Sequence, residues 1–246
     1  MKTLIVGCSF LSTLADNTGS WKLDQDRYLI AATAGSGNQS MTSRMIFECA
    51  QQPFEEVIVI WSGINRIDVS IPSILHETQP KRSEHDYEYS FTNSVGNQTW
   101  YHSGGLAGSW TQEKSCPEFI KNWFKIQHLC GDTPYLRDQS LISIINAQSF
   151  LESRNIKYRM AFAYDVFGNT DPTHEHFFGK LDESYSTYQN LINWDRIDTD
   201  HTLFEWAHTE PSRIEDDKFH VTKDAVRQWF DLVFNIDLVE MPLDNL

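Results

Sequence analysis

The sequence predicts an α/β protein built on a mostly parallel sheet with helices on both faces. Short apolar runs, each followed by a glycine-containing turn, recur at 3–7, 27–33 and 56–61. Such runs mark strands buried on both sides. Helical spacing of apolar residues fills much of the chain between and after them. Strands alternating with helices pack as a parallel sheet covered by helices, and ligands of such sheets bind beyond the carboxyl ends of the strands.

Thr3-Leu4-Ile5-Val6-Gly7 reads as the first strand, and Arg27-Tyr28-Leu29-Ile30-Ala31-Ala32-Thr33 as the second, stopped by Ala34-Gly35-Ser36-Gly37. A helix is expected over 40–51, ended before Pro53. Glu56-Val57-Ile58-Val59-Ile60-Trp61 is the clearest strand, with Gly63 just beyond it. The three turns at Gly7, Gly35 and Gly63 should therefore lie side by side.

Over 71–116 periodicity dissolves, and Tyr, Trp, His, Ser, Asn and Gly dominate. This predicts an irregular insertion after the third strand, a lid or binding wall within one domain spanning 1–246. Helical spacing returns over 117–130 and 135–154, and a strand is expected over 157–164. An irregular polar stretch follows over 165–200, and an amphipathic helix is expected over 222–234.

The net charge is −14 with no run of Lys and Arg, which disfavours nucleic acid and anionic membrane surfaces as partners. The four cysteines show no zinc-ligand spacing. Leu4-Ile5-Val6-Gly7-Cys8 looks like a lipoprotein cleavage box, but its apolar core is far shorter than the roughly 7–15 residues of a signal peptide. No stretch reaches the ~18 apolar residues of a membrane span. The expectation is a cytoplasmic protein.

Three segments carry residues suited to chemistry. Ser9 directly follows the first strand in Val6-Gly7-Cys8-Ser9-Phe10, where glycine permits a tight turn and backbone N–H groups can face a developing negative charge. Asn65, in Ser62-Gly63-Ile64-Asn65-Arg66, offers a neutral side-chain donor suited to an oxyanion; otherwise it is a turn residue bonding its own backbone. Asp217 and His220, three apart in Asp217-Lys218-Phe219-His220, can be delivered by one loop ahead of the last helix. There His220 can take a proton from the serine and Asp217 can orient the imidazole. The plainer reading is a helix start with an acidic cap and an incidental histidine.

Gly-x-Ser after strand one, Gly after strand two, Gly-x-Asn after strand three and Asp-x-x-His before the final helix, in that order, resemble the SGNH (GDSL-type) hydrolases. The resemblance spans nearly the whole chain except the insertion. It implies a flavodoxin-like three-layer fold with a five-stranded parallel sheet, and metal-free, cofactor-free hydrolysis of an acyl or acetyl ester of a small molecule or carbohydrate. Ser9 would be the nucleophile, His220 the base and Asp217 its partner. The oxyanion would be held by the N–H of Ser9, the N–H of Gly35 (Gly37 as substitute) and Asn65. The Gly-Cys-Ser-Phe opening is similar to phage and bacterial members of unassigned substrate, which admits a virion-associated protein. Cys8 stands where the family has Asp before the nucleophile, and Arg66 where an Asp usually follows the Asn. The rival reading is a non-catalytic glycan-binding or phage structural protein on the same fold.

Other features rank lower. Cys8 is a rival nucleophile, although the residue before a nucleophile normally faces away. His174 and His176 form a His-x-His pair without an evident third metal ligand. Tyr89, Trp100, Tyr101 and Trp110 are candidate substrate-binding residues, either walling the Ser9 cleft or forming the insertion's own core.

Overall fold

The computed structural model describes residues 2–15, 22–24, 26–33, 35–64, 66–72, 92–102, 118–130, 133–167, 187–215, 220–236, 238 and 240–241. Among these the strands are β1 (Thr3–Gly7), β2 (Lys22–Leu23), β3 (Tyr28–Ala32), β4 (Glu56–Trp61), β5 (Asp68–Pro72), β6 (Thr92–Val95), β7 (Gln98–His102), β8 (Lys157–Phe162), β9 (Ile197–Asp198) and β10 (Glu240–Met241). The helices are α1 (Ser9–Ala15), α2 (Asn38–Gln51), α3 (Glu118–Cys130), α4 (Thr133–Ser153), α5 (Leu203–His208) and α6 (Lys223–Phe234).

The central sheet has the order β3-β1-β4-β8-β9 with every pairing parallel. Counted among themselves these strands run 2-1-3-4-5, a doubly wound order whose direction reverses between β1 and β4. Right-handed crossovers then put the helices on either side of this reversal, α1 and α2, on opposite faces. Accordingly α1 packs on α6 and α2 packs on α4. Leu4, Ile5, Val6 and 57–61 are almost wholly buried, as continuous apolar strands between two helical layers must be.

Two expectations need correction. The segment after β4 is not irregular throughout. β5, β7 and β6 form a three-stranded antiparallel sheet, with β6 and β7 joined at the two-residue turn Gly96-Asn97. Gly96 has φ 58, a conformation that favours glycine. β7 shows no alternation because Thr99, Trp100, Tyr101 and His102 are all buried, so neither face is left to polar residues. A second core of Ile67, Ile71, Tyr101, Ile120, Phe124 and Leu136 ties this sheet to α3 and α4. The stretch over 165–200 also contains the edge strand β9, only two residues long and thus without a readable pattern.

The insertion is locked to the main body by a buried polar pin. Asp68, on β5, accepts hydrogen bonds from the N–H groups of Gly37 and Ser40 at the start of α2, each at 2.9 Å. Its cross-strand partner on β7 is His102, whose Nδ1 lies 2.7 Å from Asp68 Oδ1.

Candidate active site

The carboxyl ends of β3, β1 and β4 lie together because the strands are neighbours in register. Their turns are also tied directly. Thr33 N–H donates to the Gly7 carbonyl at 3.4 Å. Asn38, buried at the start of α2, accepts from Ser62 N–H at 2.9 Å and returns a bond to the Ser62 carbonyl at 3.4 Å. Gly35 has φ 72, which aims its peptide in a direction a residue with a side chain adopts only under strain. Gly37 has no room for a side chain: a Cβ would sit 2.8 Å from Asp68 Oδ2 and 3.1 Å from the Arg66 carbonyl.

Ser9 is the first residue of α1 and is 8 % exposed, at the point where the sheet order reverses. The chain enters α1 tightly, with Leu11 N–H donating to the Cys8 carbonyl at 3.0 Å. Phe10, one residue on, packs edge-on against Tyr164 with ring centroids 5.0 Å apart.

His220 comes to this same place from the other end of the chain. An antiparallel bridge joins Ile214 and Val221. Inside it, Glu215 N–H donates to the His220 carbonyl at 2.8 Å, and Thr222 N–H donates to the Arg213 carbonyl at 2.9 Å. These bonds close a loop over 215–220 and put the partly buried His220 ring 5.8 Å from the Phe10 ring. Thr222 caps α6, its side chain accepting from Ala225 N–H at 3.3 Å, so the helix start is met by a threonine rather than an acidic residue. Asp217 and Asn65 lie outside the described residues, as do Tyr89, Trp110, His174 and His176. The neighbours of Asn65 are buried, Ile64 at 1 % and Arg66 at 8 % exposure.

Arg66 donates to the Ser36 carbonyl and to the Tyr164 hydroxyl, each at 3.1 Å. Burial works against the guanidinium's charge, but Tyr164, Cys8 and Asp68 outweigh it and hold the Arg66 pKa above its ordinary value. Burial also pushes the Tyr164 phenol well above its ordinary value, despite the opposing pull of Arg66, so it is neutral at pH 7. Cys8 is 1 % exposed.

The Asp68–His102 pair went unrecognised in the sequence. Both side chains are within 1 % of complete burial. Burial alone would raise the Asp68 pKa, but the His102 hydrogen bond and charge, with the N–H groups of Ser40 and Gly37, take it below the ordinary 3.8. No spacing motif joins residues 68 and 102, and only the pairing of β5 with β7 brings them together.

Of the two described aromatic candidates, Tyr101 belongs to the second core, while Trp100 lines a cavity of about 330 Å³ together with Arg66 and Asp68. Among the described residues no group of three His, Cys, Asp or Glu side chains is placed to hold a metal ion, and no helix is long and apolar enough to cross a membrane. No protein-family model matches the chain, and no curated protein matches it.

Proposed function

We propose that the chain is a serine esterase of the SGNH type, with the flavodoxin-like fold of that family. In this reading Ser9 Oγ attacks the ester carbonyl carbon as His220 takes its proton, and Asp217 fixes the imidazole tautomer and stabilises the imidazolium. The tetrahedral oxyanion is met by Ser9 N–H, Gly35 N–H and the Asn65 amide. His220 returns the proton to the leaving alcohol, and water, activated by His220, then releases the acid and frees Ser9.

The observation that carries the reading is the meeting of the His220 loop with the first turn of α1. Residues 9 and 220 are far apart in sequence, yet the ring of His220 packs on the residue next to Ser9. Ser9 itself directly follows β1, at the carboxyl end of a parallel strand beside the switch point, where the physics of such folds places ligands.

The test is hydrolysis of p-nitrophenyl acetate by the unaltered protein and by Ser9→Ala. Turnover that disappears with Ser9 supports the esterase. No turnover by the unaltered protein across p-nitrophenyl acetate, butyrate and an acetylated methyl glycoside would leave the rival non-catalytic reading in its place.

A further inference from the structure

The cavity of about 330 Å³ has a lining unlike the nucleophile's surroundings. The charged groups on its floor are already engaged. Asp68 accepts from Gly37, Ser40 and His102, and Arg66 donates to Ser36 and Tyr164. Asn38 is committed in both directions to the Ser62 backbone. A cationic ligand would find Asp68 already taken by three donors, and an anion would meet the field of a chain with net charge −14.

What faces a ligand is aromatic rings and neutral amides. Trp123 and Gln127 stand one turn apart on α3, and Tyr135 and Gln139 one turn apart on α4, all four lining the cavity. Gln39, from the first turn of α2, adds a third amide. Trp123 is 46 % exposed and Tyr135 47 %, so both rings are accessible to a ligand. A fatty acyl chain needs a continuous apolar wall, which this polar lining does not supply. A saturated ring edged with hydroxyls suits both sets of groups. Its C–H face lies on an indole or phenol, and its hydroxyls pair with amides that each donate and accept. The volume stands at the low end of the roughly 300–1,000 Å³ of small-molecule sites, enough for one ring rather than a chain.

We propose that this cavity binds an uncharged pyranose ring against Trp123 and Tyr135, with hydrogen bonds from Gln39, Gln127 and Gln139. Arg66 and Ile67, which line it, directly follow Asn65. On the esterase reading the bound sugar is the alcohol half of the ester; sugar binding itself does not rest on that reading.

The test titrates methyl glycosides of glucose, galactose, mannose and N-acetylglucosamine into the full-length protein. Tryptophan fluorescence and saturation-transfer NMR read binding, and turnover of p-nitrophenyl acetate is measured on the same samples. At least one glycoside should bind saturably in the millimolar range, equally well to Ser9→Ala, and about tenfold or more weakly to Trp123→Ala and to Gln127→Ala. Both substitutions lie on an accessible face of α3, and an unchanged melting temperature verifies that each variant is folded. The proposal is overturned if none of the four glycosides saturates the unaltered protein, or if binding survives both substitutions. It is also overturned if phenol occupies the site and no sugar displaces it. Ester turnover without sugar binding defeats the cavity proposal and spares the esterase, and sugar binding without turnover does the reverse.

Discussion

Replacing Asp68 with asparagine keeps the side chain's shape and removes its charge. Oδ1 of Asp68 accepts from Gly37 N–H and from His102, and Oδ2 accepts from Ser40 N–H. In Asp68→Asn the new oxygen can keep the first two partners, but the NH₂ then faces the Ser40 N–H, donor against donor. One hydrogen bond to a charged group, about 1.5–3 kcal/mol, is lost, and two others weaken to neutral bonds at about 0.5–1 kcal/mol each. Relief of the buried charge returns part of this, leaving a net loss of about 2–4 kcal/mol. For a chain of this size that lowers the melting temperature by about 5–15 °C.

The pH dependence gives a second reading of the same group. The Asp68 pKa is depressed in the folded state, so its contribution is fully present above the ordinary carboxylate value of 3.8 and is lost as pH falls through the lower folded value. Thermal unfolding of both proteins from pH 7 down to pH 3, followed by circular dichroism, should show a gap that is constant at neutral pH and narrows below about pH 4. A melting temperature within about 2 °C of the unaltered protein at pH 7, or a gap that does not narrow in acid, would refute the ionised pin.

Three shorter predictions follow. Ser9→Ala should abolish ester turnover while Cys8→Ala keeps most of it, since the Cys8 side chain is 1 % exposed and the residue before a nucleophile faces away from it; the reverse pattern in a p-nitrophenyl acetate assay identifies a cysteine hydrolase. Asn65→Ala should lower kcat by about 10²–10³ with little change in KM, as for loss of one oxyanion donor, and a rise mainly in KM would make Asn65 a substrate contact. Gly37→Ala drives a Cβ against Asp68 Oδ2 and the Arg66 carbonyl. It should destabilise the protein by about 1–3 kcal/mol in urea unfolding, and a neutral result would mean that α2 can shift away from β5 freely.

How much was legible depended on what each segment packs against. β1, β3, β4 and β8 could be read because each carries a run of apolar residues buried between helical layers, and α6 because only one of its faces is buried. Ser9 and His220 were visible because each sits beside a boundary marked by local chemistry, glycine after a strand and threonine at a helix start. β7 was not, because Trp100 and Tyr101 point to opposite faces and both faces are covered, which erases alternation. The Asp68–His102 pair exists only through strand pairing across more than thirty residues of chain. Similarly, the helical spacing of α3 was readable, but its division into a buried side (Ile120, Phe124) and a side open to a ligand (Trp123) depends on where the insertion sheet lies.

The segments around Gly37 and Arg66 explain why the nucleophile's surroundings and the cavity cannot be built independently. Ser36 offers its carbonyl to Arg66, Gly37 and Ser40 give their N–H groups to Asp68, and Asn38 holds Ser62 on both sides. The start of α2 is thus bonded to the chain on each side of Asn65, before it at Ser62 and after it at Arg66 and Asp68. Arg66 then reaches on to Tyr164, whose ring packs against Phe10, one residue from Ser9. A lysine could not make this set of contacts, because one ammonium on a flexible stem lacks the planar fork that serves separate partners at once. The same junction lines the cavity through Arg66 and Asp68, so a substitution at the start of α2 that displaces either residue would disturb a bound ring as well.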